Sequence, residues 1–444
     1  MTQIFAITKF FGALHLAAAI DAGVFDGHRR ILLTADCADN PEIAPRLDET
    51  PGFDAVRTRF DAVVSYNELI HPYHPARWQA HDADQALIRR LLGEHLGLDR
   101  EPPELIVESI HSHPARSLTR LFDDARVTVY SDGLMSYSPT RTTLPRQLST
   151  RIERLVHMEL VPGVEPLVLS EHDVESVLVP SEAFRRVVAE VAATADIDPP
   201  GEGPSALFVG QYLSAIDLLT EEEETEMSVR TVTACARAGY RSIAYKPHPA
   251  HSPAMTRTVR EAAEAAGVRL RLLEGVLPVE AWFERAAPDL VVGCFSTSLS
   301  TADKIYGIPV ATMGTELMLE RLTPYENSNR MPVTIADVTM PRLLDSGEIQ
   351  APAIAPERYA EDLTPLVRAI GYCMQAAAYP HLREETAAYL REYEGDLLRH
   401  FKRKRIAALG LTAPGVRPIG HSLDVSVPRK LARRARSLLR ARPS

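Results

Sequence analysis

Residues 241–251 read RSIAYKPHPAH: an apolar run ends in Lys246, then His248 set between Pro247 and Pro249. Proline fixes φ and biases the residue before it towards extended backbone, so the imidazole is held on a stiff peg directly after a strand. A neutral or positive group fixed there suits an anion such as a phosphate. Only six of the 49 basic residues are lysine, which makes Lys246 in this motif less easily a compositional accident. A second constellation lies in DLVVGCFSTSLSTADKIYG, where an apolar run leads into Ser296, Thr297 and Ser298 at the start of a predicted helix. Hydroxyls and free N–H groups at a helix N-terminus form an anion site. An ordinary N-cap uses the same residue types, and three hydroxyls together favour the anion reading. Gly210 and Gln211, in LFVGQYL, end another strand, where glycine lets a ligand approach the backbone. Glu280, in LPVEAWF, either contacts a ribose or caps a helix.

The first half of the chain offers RVTVYSDGLMSY, with Asp132 between Ser131 and Gly133 at a strand end. A carboxylate there can take a proton from a hydroxyl; the bland alternative is an Asp-Gly turn. The other His-Pro pairs, at His71, His74 and His113, sit in loop-like surroundings and read as turns. Asp82-Ala-Asp84 is a nominal DxD, but it lies in a helical stretch and nothing compels a metal. Glu221 to Glu224 read as the solvated first turn of a helix, where acids favour the dipole. Trp78 and Trp282 read as packing residues.

The elements that must position these residues alternate. Strand-like runs QIFAITKF, RRILLTAD, FDAVVSY, PELIVESI and ARVTVYSDG are separated by helical stretches such as GALHLAAAIDAG and DADQALIRRLLGEHLG. The Pro/Gly segment DPPGEGPS near residue 199 reads as a linker, after which the pattern restarts with ALFVGQYLS and closes with a last strand, PVATMG. Strands alternating with helices predict parallel sheets covered on both faces. The expected fold is α/β: two doubly wound Rossmann-like domains facing a central cleft, with C-terminal helices. The domains are placed at 1–198 and 205–380, the first carrying the base and the second the phosphate-binding groups. Sheets of this kind place ligands beyond the C-terminal ends of their strands. Residues 381–444 hold a long polar helix, HLREETAAYLREYEGDLLRHFKRKRIAAL, and a basic tail with Arg429, Lys430, Arg433, Arg434, Arg436, Arg440 and Arg442. A basic amphipathic segment suits an anionic membrane surface; a solvated tail is the alternative.

The 444 residues carry a formal net charge of −10, which argues against nucleic-acid binding by the body of the protein. Cys37, Cys235, Cys294 and Cys373 are far apart and form no CxxC pair, so they read as free thiols in a reducing compartment. The apolar N-terminus lacks a basic leader, and no run approaches the length of a membrane span. The expectation is a cytoplasmic protein, peripheral at the inner face of the plasma membrane where the basic tail engages anionic lipid.

Together the motifs describe an acceptor hydroxyl losing its proton to a base in domain one while a nucleotide phosphate leaves towards domain two. Ser131-Asp132-Gly133, His248-Pro249 and Ser296-Thr297 resemble, in order and interval, the three short motifs of bacterial GT-B sialyltransferases, especially the α-2,8-polysialyltransferase-like group. The opening FAITKFFGALHLAAAIDAG is similar to that family's first strand and helix. The resemblance implies Asp132 as general base, and His248, Ser296 and Thr297 as contacts to the phosphate of a CMP-activated sugar. Gly210, Gln211, Lys246, Pro249, Glu280 and Ser298 would complete the donor site. It further implies an inverting, metal-independent transfer with no cofactor, from nucleotide-sugar donor to a glycan or lipid-linked acceptor. Ser131 departs from the acidic residue the family has there. Two other readings stay open: a sugar-nucleotide epimerase or CDP-alcohol phosphotransferase of the same fold, and a non-catalytic nucleotide-sugar-binding homologue.

Overall fold

The computed structural model describes residues 2–27, 29–99, 101–195, 197, 203–211, 213–248, 251–273, 275, 277–392 and 399–414. The first sheet contains β1 (Thr2–Ile7), β2 (Arg29–Thr34), β3 (Ala62–Ser65), β4 (Glu104–Val107), β5 (Arg126–Ser131), β6 (Ile152–Met158) and β7 (Glu175–Val179). Its order is β3-β2-β1-β4-β5-β6-β7, parallel throughout. The second contains β8 (Ser205–Val209), β9 (Ser242–Lys246), β10 (Arg269–Leu272), β11 (Leu290–Gly293), β12 (Val310–Thr312), β13 (Arg342–Leu343) and β14 (Ile349–Gln350). Its order is β10-β9-β8-β11-β12-β13-β14, and only the last pair is antiparallel. This is the α/β, GT-B arrangement of two Rossmann-like domains. The winding of each sheet reverses beside its first strand, between β1 and β4 and between β8 and β11, and such switch points are where open α/β sheets hold ligands.

The central strands are continuous apolar runs because helices cover both faces. β1 and β4 are buried along their whole lengths. The helix Phe10–Asp21 is apolar nearly all round and correspondingly buried from Phe10 to Ile20, save Phe11. It ends on Gly23, whose φ of 76° lies in the left-handed region that glycine adopts without strain. Inside the sheet, Glu104 accepts from Gln3, Thr128 and Arg154, each at 2.7 Å, so its buried charge is paired.

The two domains share one core. The helix Ser181–Ala193 packs on Phe10–Asp21 of the first domain and on Glu280–Ala286 of the second. The chain also returns: Gln375 donates to the Arg141 carbonyl (2.7 Å), and the Tyr379 hydroxyl donates to the Leu167 carbonyl (2.8 Å) and accepts from the Thr140 N–H (3.0 Å). Residues that the sequence assigned to the second domain therefore fasten onto the first.

Four strands were not anticipated: β6, β7, β13 and β14. The long C-terminal helix does not run through as one element. Arg383–Glu392 and Arg403–Ala408 are helical, while His400 and Phe401 between them turn into the core and are buried. Burial of that pair outweighs continuation of a polar helix. Asp82 and Asp84 lie before the helix Gln85–His95 rather than within it; Asp82 pairs with Arg120. The basic tail, 429–442, lies outside the described residues, as does most of the linker segment. Among the described residues, no helix is long and apolar enough to cross a membrane. The four cysteines are free thiols.

Candidate active site

The C-terminal edge of the second sheet collects the anion-binding candidates. Gly210 follows β8, and its N–H donates to the Lys246 carbonyl at 2.9 Å. A Cβ there would come within 3.1 Å of both that carbonyl and the His251 ring, so the close approach favours glycine. Gln211 bridges the switch point: its Oε1 accepts from the Phe295 N–H at 2.7 Å, and its carbonyl meets His251 Nε2 at 2.5 Å. Past β11, Ser296 caps the helix Thr297–Lys304, its Oγ accepting from the Ser298 N–H at 3.3 Å. His248, two residues beyond β9, stands beside His251 with ring centroids 6.3 Å apart. Burial first, then His251 and Lys9, lower its pKa to about 4, so the imidazole is neutral near pH 7 and presents an N–H. Pro249, the second proline of the peg, lies outside the described residues.

Lys246 donates from Nζ to the Gly275 carbonyl (2.5 Å) and lies 5.3 Å from the Trp282 ring centre, so Trp282 packs a cation. Burial lowers its pKa to about 8, partly opposed by Glu280. Glu280 is only 2% exposed and accepts from Thr301 at 3.1 Å; burial raises its pKa.

Across the cleft, three charged groups follow three adjacent strands of the first sheet. Lys9 follows β1, Glu108 follows β4 and Asp132 follows β5. Glu108 accepts from Thr8 Oγ1 at 2.8 Å. Lys9 opens into the cleft, and Glu108 above all, then Asp132, raise its pKa. Asp132 keeps part of its surface in solvent but is walled by protein; burial, then the Glu108 carboxylate, lift its pKa to about 7, with Lys9 opposing. A base with that pKa is matched to neutral pH. Ser131 is the last residue of β5, level with His157. Gly133 brings the two halves together: a Cβ there would lie 2.7 Å from Thr297 Oγ1, and that oxygen accepts from the Leu134 N–H at 3.4 Å. Lys9 acts electrostatically on His248, and Glu280 on Asp132, so the groups of the two domains face one another.

Sequence reasoning missed Lys9, Glu108, His251 and Glu224. Lys9 and Glu108 carry the signal that singled out Asp132, a charged residue within two positions of the end of an apolar strand. Glu224 corrects an expectation: it is not solvated but 1% exposed. Its carboxylate accepts from the N–H groups of Leu213 (3.0 Å) and Ser214 (2.8 Å) and meets His251 at 3.2 Å. Burial works against that charge, but these hydrogen bonds prevail and hold its pKa at about 2. Glu224 thus clamps the loop after Gln211. Among the described residues, no group of three or more His, Cys, Asp or Glu is placed to hold a metal.

This arrangement can accept a proton on one wall of the cleft and stabilise a departing phosphate on the other. Solved structures similar to the chain include MurG of Acinetobacter baumannii, at 12% identity over 86% of this chain and 98% of that one, with a TM-score of 0.39. The GT-B domain of a sialyltransferase from Photobacterium damselae is similar at 13% identity over 76% and 96%, with a TM-score of 0.38. A putative UDP-N-acetylglucosamine 2-epimerase from Listeria monocytogenes is similar at 12% identity over 92% and 95%, with a TM-score of 0.40. No curated protein matches the sequence. The model of the Alpha-2,8-polysialyltransferase (POLYST) family matches residues 3–315, a stretch that includes Lys9, Asp132, His248 and Ser296 to Ser298. The chain belongs to that family and is a glycosyltransferase.

Proposed function

We propose that the protein is an inverting, metal-independent transferase that moves sialic acid or a related acidic sugar from a CMP-activated donor to a glycan or lipid-linked acceptor. The observation that carries this reading is the confrontation of Asp132, lifted to about 7, with His248 and the Ser296–Ser298 cluster across one cleft. Asp132 accepts the proton of the acceptor hydroxyl, whose oxygen attacks the anomeric carbon. The bond from that carbon to the phosphate oxygen breaks on the opposite side, which inverts the centre. The electron pair stays on CMP, where the neutral His248 N–H, the hydroxyls and the helix N-terminus receive the charge. Lys246 and Glu280 border this site, and Gly210 with Gln211 admits the nucleotide to the end of β8. The basic tail would hold the protein against anionic lipid at the cytoplasmic face of the membrane.

The test is calorimetric titration with CMP, CDP, UMP and UDP in EDTA. Selective CMP binding is expected, lost in His248→Ala and kept in Asp132→Ala, which should cut turnover by ~10²–10⁴-fold. A preference for UDP, a requirement for metal, or equal loss of binding in both variants would overturn the assignment.

A further inference from the structure

The first sheet has its own switch point, between β1 and β4, and a cavity of about 240 Å³ opens there. At ~30 Å³ per water this is the room of roughly eight waters, commensurate with one sugar ring. Thr8, Ser109 and Ser112 bring hydroxyls to its lining, and Lys9 is its sole Lys or Arg. Lys9 immediately precedes the helix Phe10–Asp21, and the start of that helix lies against the candidate base. A Cβ on Gly12, one turn in, would come within 3.6 Å of Asp132 Oδ2. The cavity and the base therefore flank the same helix start.

Lys9 is exposed, and among the described residues its ammonium forms no ion pair and no cap to the helix. Glu108 accepts from Thr8 at 2.8 Å instead. The field of Glu108 above all, then that of Asp132, raises the Lys9 pKa, so the side chain stays positive across the neutral range. A departing phosphate has its own receivers on the other wall, His248 and the Ser296–Ser298 cluster, which leaves Lys9 for a second anion. Glu108 and ionised Asp132 would repel a carboxylate-bearing sugar brought to this cavity, and Lys9 is the group in its lining that offsets them.

Resting on the transferase reading above, we infer that Lys9 is a specificity-determining residue: its ammonium pairs with the carboxylate of a sugar whose ring lies among the hydroxyls of Thr8, Ser109 and Ser112. Two sugars can present that carboxylate. One is the donated sugar, which carries it on the reacting carbon; the other is an acidic sugar that ends the acceptor. In either case Lys9 orients the ring against Asp132 and takes no part in the proton transfer.

The test uses the full chain, Lys9→Met and Lys9→Arg at about 0.15 M salt, which screens distant charges. Lys404→Met, an exposed position on the helix Arg403–Ala408, controls for overall charge. Retention is measured on an immobilised sialyl-oligosaccharide and on its carboxyl methyl ester, with and without CMP. A fluorinated, transfer-inert CMP-sialic acid is titrated beside CMP. At least one preference, acid over ester or CMP-sialic acid over CMP, should be about tenfold or more in the wild type. It should vanish in Lys9→Met and persist in Lys9→Arg and Lys404→Met. Collapse of the first assigns the carboxylate to the acceptor, and collapse of the second assigns it to the donor. Neither preference in the wild type, or both unchanged in Lys9→Met, would overturn the inference. So would a Lys9→Met variant that weakens acid and ester equally, or CMP as much as CMP-sialic acid. The transferase reading fails separately, on absence of CMP binding by the wild type, and the comparison of acid with ester without CMP is read independently of it.

Discussion

Glu108→Gln should move the acid limb of the pH–rate profile downward by about one pH unit. Val107 pairs with Val129 on neighbouring parallel strands, which sets Glu108 one step and Asp132 three steps beyond that pair. With strands ~4.8 Å apart and ~3.3 Å per residue, roughly 8 Å separates the two positions. Two unit charges at that distance repel by about 2 kcal/mol at an effective dielectric of ~20. Lys9, which follows the neighbouring β1 and acts on both carboxylates, takes up part of this, leaving an effect of about one pH unit. Glutamine keeps an oxygen to accept from Thr8 but carries no charge. Removing the charge makes ionised Asp132 easier to hold, so the basic form survives to lower pH. The limb should fall from about 7 to about 6. The assay is kcat/KM from initial rates across about pH 5 to 9, since that ratio reports the free enzyme. Lys9→Met, which removes the opposing charge, should move the limb upward. An unmoved limb in Glu108→Gln, or one moved upward, would refute the claim that Glu108 tunes Asp132.

Asp132→Asn should stabilise the protein above neutral pH. The folded carboxyl holds its proton to about 7, whereas the unfolded chain releases it near about 3.9, so folding loses stability as pH rises through that window. The gain should be on the order of 4 kcal/mol at pH 8 and nearly vanish by pH 4, read as Tm; equal Tm changes at both would contradict it. Glu224→Ala should strip acceptors from two buried N–H groups, cost ~1–3 kcal/mol, and weaken CMP binding more than Glu224→Gln does. Unchanged CMP affinity in the alanine variant would show that the loop after Gln211 is held by other contacts. The full chain should sediment with vesicles rich in anionic lipid and lose this at high salt or when the six arginines and one lysine of 429–442 are neutralised, each contributing ~1 kcal/mol. Sedimentation that ignores lipid charge would remove the membrane role of the tail.

Much of the fold was legible because most central strands of a covered parallel sheet announce themselves as short apolar runs. β6 escaped notice because Glu153 and Arg154 interrupt it, the half-buried Arg154 being held by Glu104, the Val24 carbonyl and the Phe25 ring. β7 is an edge strand, with Glu175, Ser176 and Leu178 exposed, and β13 and β14 are two residues each. In the site, Asp132, His248 and Ser296 to Ser298 were recognisable from polar groups following strands. Lys9 and Glu108 follow strands too, yet their meaning depends on β1, β4 and β5 being neighbours. Strand order is a tertiary fact that no local pattern encodes. Glu224 was misread for a related reason: four consecutive acids look like a solvated first turn until the loop at Leu213 and Ser214 folds over one of them.

The return of Gln375 and Tyr379 to the first domain sets a rule for recombining this enzyme with its relatives. The second domain cannot be exchanged as everything after the first sheet, because Gln375 and Tyr379 are bonded to the first. A working transplant has to keep both sets of bonds, because further on Arg399 pairs with Asp337, Lys402 donates to the Leu322 carbonyl and Arg405 to the Cys373 carbonyl. Cutting once would strand the Tyr379 hydroxyl opposite a foreign Thr140 and Leu167, and two interior backbone groups would lose their partner.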